Sequence, residues 1–159
     1  MVLPFEVVVV SSDLAVRHHL AVILASLGVD SVCVSTLREC HGILAQRRVG
    51  LVFCDFHVAD GNYQDFLAAY ARPGEKPRVV VTSGSADWDE YIEAMRCGAF
   101  DIISVPCRHT DVEWMVIQAK RAERAAEGLA PMRVEPAELA KAVGASASSG
   151  ARSVASHSK

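Results

Sequence analysis

Five short apolar runs punctuate the chain: PFEVVVV (4–10), DSVCVS (30–35), GLVFC (50–54), RVVV (78–81) and FDIISV (100–105). Most lack inside/outside alternation, and near-continuous apolar runs are what strands covered on both faces require. Between them lie longer segments of helical period. In DLAVRHHLAVILASLG, Leu14, Leu20, Ile23, Leu24 and Leu27 share one broad face, and Gly28 suits the left-handed position past a helix end. Thr36 with Glu39 spells a capping box for a second helix through Cys40, Ile43 and Leu44. A short third helix over 62–70 is stopped by the loop ARPGEKPR. Ser85 is the expected cap of a fourth helix that turns Tyr91, Ile92 and Met95 to the sheet and ends at Gly98. Thr110 with Glu113 spells a second box, followed by the stripe Val112, Val116 and Ala119 of a fifth helix.

Strict alternation of five strands with five helices predicts an α/β fold: a doubly wound parallel sheet with right-handed crossovers and helices on both faces. At 159 residues, one domain with a substantial core is expected, over 4–125. Beyond it the composition changes. The Ser/Ala/Gly-rich stretch ASASSGARSVASHSK has little to bury against its chain entropy, so 126–159 reads as a flexible tail, with a short helix near 135–143 at most.

Composition narrows the function classes. The formal charge of −3 gives no electrostatic reason for nucleic acid or an anionic membrane as main partner. No segment reaches the roughly 18 apolar residues that a span needs, and the start MVLPFEVVVV has no basic n-region, so a cytoplasmic location is expected. Cys33, Cys40, Cys54, Cys97 and Cys107 include no C-x-x-C pair and read as reduced, packed thiols.

In open α/β sheets, ligands sit beyond the carboxyl ends of the strands. That edge would collect Ser11, Ser12 and Asp13 after the first strand, Asp55 after the third, Thr82 and Ser83 after the fourth, and Val105-Pro106 after the fifth. On spacing alone two readings stay open. Asp55 is a reactive carboxylate, or Asp13 and Ser85 cap helices while Asp55 and Asp60-Gly61 shape a turn.

The start VVVVSSD, then LVFCDFHVADG, VVVTSG and GAFDIISVP, in that order, resemble the receiver domain of two-component response regulators over roughly residues 5–124. The resemblance implies a flavodoxin-like sheet of order 2-1-3-4-5 and a phosphoryl group passed from a histidine kinase or phosphotransfer protein to the aspartate ending the third strand, here Asp55. It implies that Thr82 contacts the phosphoryl group through its hydroxyl and Ser83 through its backbone N–H.

Several positions depart from that pattern. Ser11 and Ser12 stand where receivers carry two acids that hold Mg²⁺, Val105 replaces the lysine, Ile102 the aromatic switch residue, and Ala59 a proline. Mg²⁺ is strongly hydrated and usually held by carboxylates, so its binding is doubtful, with Asp13, Asp55 and His57 as weak candidate ligands. His57 reads first as a solvated loop residue, and Cys54 as a buried, inert thiol.

Three functions follow as expectations. The first is a stand-alone, degenerate receiver with Asp55 as phosphoacceptor. It is a signalling domain rather than an enzyme, assisting at most its own phosphoryl transfer. Its output would be a protein contact through the helix 4, strand 5 and helix 5 face, with a homodimer left open. Trp88 and Trp114 belong to that face or to partial core. The second is an interaction module independent of phosphorylation. The third, a small-molecule or flavin-binding α/β protein or an enzyme, is disfavoured because no glycine-rich loop follows the first strand.

Overall fold

The apolar runs become one all-parallel sheet of five strands. Counted in chain order these are β1 (Glu6–Val10), β2 (Asp30–Val34), β3 (Leu51–Asp55), β4 (Val79–Ser83) and β5 (Asp101–Ser104), arranged 2-1-3-4-5. The computed structural model describes residues 4–70, 72 and 76–128, and the expected tail helix near 135–143 lies outside them. Register is direct: Val8 pairs with Val32 on one side and Val52 on the other, Asp55 with Thr82, and Val81 with Ile102.

Alternate residues of each strand feed two separate cores. Val7, Val9, Leu51, Phe53 and Val80 pack under α1 (Leu14–Ser26) and α5 (His109–Gly128), with Leu20, Leu24, Val112 and Val116. Val8, Val10, Val52, Cys54 and Val81 pack under α2 (Leu37–Gln46), α3 (Tyr63–Ala68) and α4 (Trp88–Arg96), with Cys40, Tyr63, Phe66 and Ala94. Burial on both faces explains why the strands read as unbroken apolar runs.

Helix boundaries follow their caps. Asp13 accepts Ala15 N–H and starts α1, and Gly28, at φ +69°, follows its end in a conformation that side chains rarely adopt. Thr36 accepts Glu39 N–H and starts α2, but the Glu39 carboxylate takes the Ser35 and Thr36 hydroxyls, so the box is only half closed. Asn62 and Asp65 form a complete capping box on α3.

Two expected caps are wrong. Asp87, not Ser85, starts α4, because the Ser83 hydroxyl draws in the N–H groups of Ser85 and Ala86 first. Thr110 lies inside α5, which begins one residue earlier with the Arg108 carbonyl accepting from Asp111 and Val112. Two apolar assignments also change. Leu14 is exposed on the first turn of α1, and in α4 it is Ala94 that is buried while Met95 is exposed.

A feature with no apolar signature lies directly after β3. His57–Val58 and Gly61–Asn62 pair as a small antiparallel ribbon, which tightens the turn following Asp55.

Candidate functional site

Strand β3 carries Asp55 to the carboxyl edge of the sheet, half-buried between the ends of β1 and β4. Its neighbours are hydroxyls. Ser11, fully buried, donates to one carboxylate oxygen, and Thr82, 2% exposed, donates to the other. Burial pushes the Asp55 pKa up, the two hydroxyl hydrogen bonds pull it down, Asp13 adds to the rise and Arg17 opposes it.

The bond from Ser11 corrects a simple reading of that position. Replacing an acid by serine removes a charge, yet the serine remains a direct partner of Asp55. Its hydroxyl also accepts Asp13 N–H at 3.0 Å, which fixes its rotamer as the chain turns into α1. Ser12 points elsewhere: its Oγ accepts Ala59 N–H at 2.9 Å, pinning the turn after β3. One residue on, the Asp60 carboxylate accepts the N–H groups of Leu37 and Arg38 at 2.8 and 3.0 Å, completing with Thr36 the capping of α2. The Leu37 bond foremost holds the Asp60 pKa below the usual carboxylate range. The segment following Asp55 is therefore tied to both β1 and α2.

Toward the outer strands the contacts thin. Ser83 is buried and donates to Glu90 on α4 at 2.7 Å. Val105 packs against the α1/α5 core and, with Pro106 and His19, lines a mainly apolar cavity of about 500 Å³ beside Asp13. Ile102 is half-buried next to Trp88 and Tyr91, whose rings stack at 5.4 Å. Trp88 is 71% and Trp114 53% exposed, which places both outside the core.

The site residues expected from sequence thus divide. Ser11, Asp55 and Thr82 meet in one hydrogen-bonded group, and Asp13 adjoins it electrostatically. His57 is exposed and packs edge-on against Phe56 rather than bonding to Asp55. Burial pushes the Cys54 thiol far up, so it stays protonated and inert.

Two contributors were missed. Arg17, in the second turn of α1, reaches back so that Nη1 donates to the Ser11 carbonyl at 2.5 Å. Its only signal in the sequence is its place four residues after the cap Asp13, one turn along the same face. Asp60 reads as a turn residue because its partners lie more than twenty positions away.

The donor set is poor for a divalent cation. Both Asp55 oxygens hold hydroxyls, Asp13 is engaged by Ala15 N–H, and Ser11 and Ser12 are neutral. Among the described residues, no group of three or more His, Cys, Asp or Glu side chains is placed to hold a metal. These residues do not fit Mg²⁺.

No family profile and no curated protein sequence matches the chain. Solved structures do. A CheY-like response regulator receiver domain protein from Methanospirillum hungatei superposes with a TM-score of 0.65 at 20% identity, over 77% of this chain and 98% of that one. The chemotaxis response regulator CheY4 of Vibrio cholerae gives 0.66 at 13%, over 74% and 99%. NtrX from Brucella abortus gives 0.69 at 21%, over 79% of this chain but 29% of that one. The chain has the receiver fold of response regulators, and no helix among the described residues is long and apolar enough to cross a membrane.

Proposed function

We propose that this receiver-fold chain works in phosphorelay signalling, with Asp55 accepting a phosphoryl group from the phosphohistidine of a histidine kinase or phosphotransfer protein. One observation carries the reading: the Asp55 carboxylate stands at the carboxyl edge of the sheet, half-buried, with Thr82 and Ser11 donating to its two oxygens. Attack of one oxygen on phosphorus forms the P–O bond as the P–N bond breaks, and the imidazole, already protonated on its other ring nitrogen, leaves neutral with the bonding pair. Positioning and charge neutralisation govern such a transfer. Thr82 would move its hydroxyl from the carboxylate to an incoming phosphoryl oxygen, and Ser83, the next residue, would offer its backbone N–H.

The protein would act as a signalling domain rather than an enzyme. Its output would pass through the face formed by α4, β5 and α5, where Trp88, Trp114 and Ile117 are exposed. Ser83 bonds Glu90 of α4, so a shift at the end of β4 would reach that helix directly. The test is incubation with phosphorylated histidine donors and acetyl phosphate, read by intact mass. A gain of one phosphoryl mass in the wild type, absent in Asp55→Asn, is the expected result. No gain with any donor would remove the proposal.

A second reading, contact with a partner independent of phosphorylation, is favoured by the hydroxyls already occupying both Asp55 oxygens. It predicts that Asp55→Asn binds the same partner with unchanged affinity.

A further inference from the structure

A phosphoryl group brought to Asp55 adds negative charge to an edge that already carries two carboxylates, Asp13 and Asp55. Ser11 and Ser12 supply no charge, Val105 supplies none, and the donor set does not suit a divalent ion. Yet transfer to a carboxylate depends on a cation that gathers the phosphoryl oxygens.

Among the described residues, Arg17 brings a cation toward that edge. Arg17 is half-buried, and its Nη1 donates to the carbonyl of Ser11, the residue whose hydroxyl donates to Asp55. The guanidinium is thereby held at the backbone of the residue whose hydroxyl meets the acceptor. Among the described residues this is its single hydrogen bond, which leaves N–H donors in a planar fork suited to two oxygens of one phosphoryl group. Two features keep it there. Asp13 caps α1 one turn earlier, and the Arg17 carbonyl accepts from Cys33 on β2 at 3.7 Å, so the backbone bearing the side chain is anchored at the sheet. The charge already bears on Asp55, opposing the rise that burial imposes.

We infer that Arg17 is the cation of this site: its guanidinium takes the oxygens of a phosphoryl group transferring from a small acyl phosphate to Asp55, and the transfer proceeds without a divalent ion. The inference rests on the phosphoacceptor reading above. The step balances without a proton. An Asp55 oxygen forms the bond to phosphorus, the bond from phosphorus to the acyl oxygen breaks, and the carboxylate of the donor leaves with the electron pair and the negative charge that Asp55 gave up. Arg17 swings from the Ser11 carbonyl to the phosphoryl oxygens and keeps its proton throughout.

The experiment follows phosphorylation by acetyl phosphate with intact mass, in EDTA and in millimolar Mg²⁺, for wild type, Arg17→Met and Arg17→Lys. The wild type should gain the phosphoryl mass in EDTA at a rate within about threefold of that in Mg²⁺. Arg17→Met should be slower in EDTA by roughly tenfold to a hundredfold, the range one charge-assisted hydrogen bond commands. Arg17→Lys, which keeps the charge and loses the fork, should fall between them. Should Arg17→Met fail to fold, Arg17→Lys alone decides: a rate in EDTA equal to wild type overturns the inference. Labelling of the wild type only in Mg²⁺, or equal rates for wild type and Arg17→Met in EDTA, also overturns it while leaving Asp55 as the acceptor. No labelling in either buffer removes the phosphoacceptor reading and this inference together.

Discussion

Along the carboxyl edge of the sheet, the inner half around Asp55 and the outer half around α4 and β5 use polar side chains in opposite ways. In the inner half four polar side chains have partners on a different element: Ser11 and Thr82 on Asp55, Ser12 on the turn after β3, Asp60 on α2. In the outer half, among the described residues, Ser83 and Glu90 form the one such bridge from strand to helix, while Trp88 and Tyr91 stack at the surface. Interlocked networks resist displacement more than pairwise bonds do. The inner half is thus built to hold one geometry, and the outer half to present a surface.

Substitutions can break or sharpen this contrast. The largest effect is expected in the inner half. Thr82→Val keeps the shape but leaves one oxygen of a half-buried carboxylate without its donor, a loss of about 1–3 kcal/mol at neutral pH. Because that bond favours the ionised form, the loss should shrink once acid protonates Asp55. Urea titrations at pH 7 and pH 4 read both.

Asp55→Asn tests the same network with the opposite sign. Burial raises the Asp55 pKa in the folded state, so ionisation at neutral pH costs stability that a neutral side chain does not lose. The Asn variant should melt higher than wild type at pH 7, and the difference should fade as pH falls through the raised folded value of Asp55 toward the ordinary carboxylate value. A lower melting temperature at pH 7 would show that the hydroxyl bonds, not burial, dominate.

Asp60→Ala removes a cap that reaches α2 from another element, and should cost about 0.5–2 kcal/mol. The lowered pKa of Asp60 means this contribution is present at neutral pH and disappears as pH falls through its folded value. Moving outward, Ser83→Ala should cost about 0.5–1.5 kcal/mol, with increased amide exchange confined to the first turn of α4. Smallest is Trp88→Ala, expected to change stability by no more than about 0.5 kcal/mol. A large loss there would show that the outer face belongs to the core after all.

Much of the fold was legible because it is written in local signals. Runs such as VVVV and LVF declare strands buried on both faces, and Asp13 and Thr36 occupy cap positions with their partners two or three residues away. The misplaced caps at Ser85 and Thr110 arose where neighbouring residues have similar propensity, and a contact settled the outcome: the Ser83 hydroxyl in one case, the Arg108 carbonyl in the other.

The meeting of Asp55 and Thr82, which face each other near the ends of adjacent strands, was legible, and the rest was obscure wherever partners are far apart in sequence. Ser11 and Asp55 are 44 positions apart, and Ser12 and Ala59 are 47. Nothing local says that a serine following β1 will donate to a carboxylate following β3. Arg17 was obscure for a different reason: an arginine on an amphipathic helix ordinarily reads as solvated surface, and only the turn of the chain at Ser11 brings its head inward.

The double fastening of the turn at Ala59 and Asp60 bears on duration as well as shape. Two anchors on separate elements must release together before that segment lifts, so such excursions should be rarer than those of a turn held at one point. An anhydride formed on Asp55 would then decay on the timescale of this local unfastening. Deuterium uptake at the Ala59 amide serves as its clock.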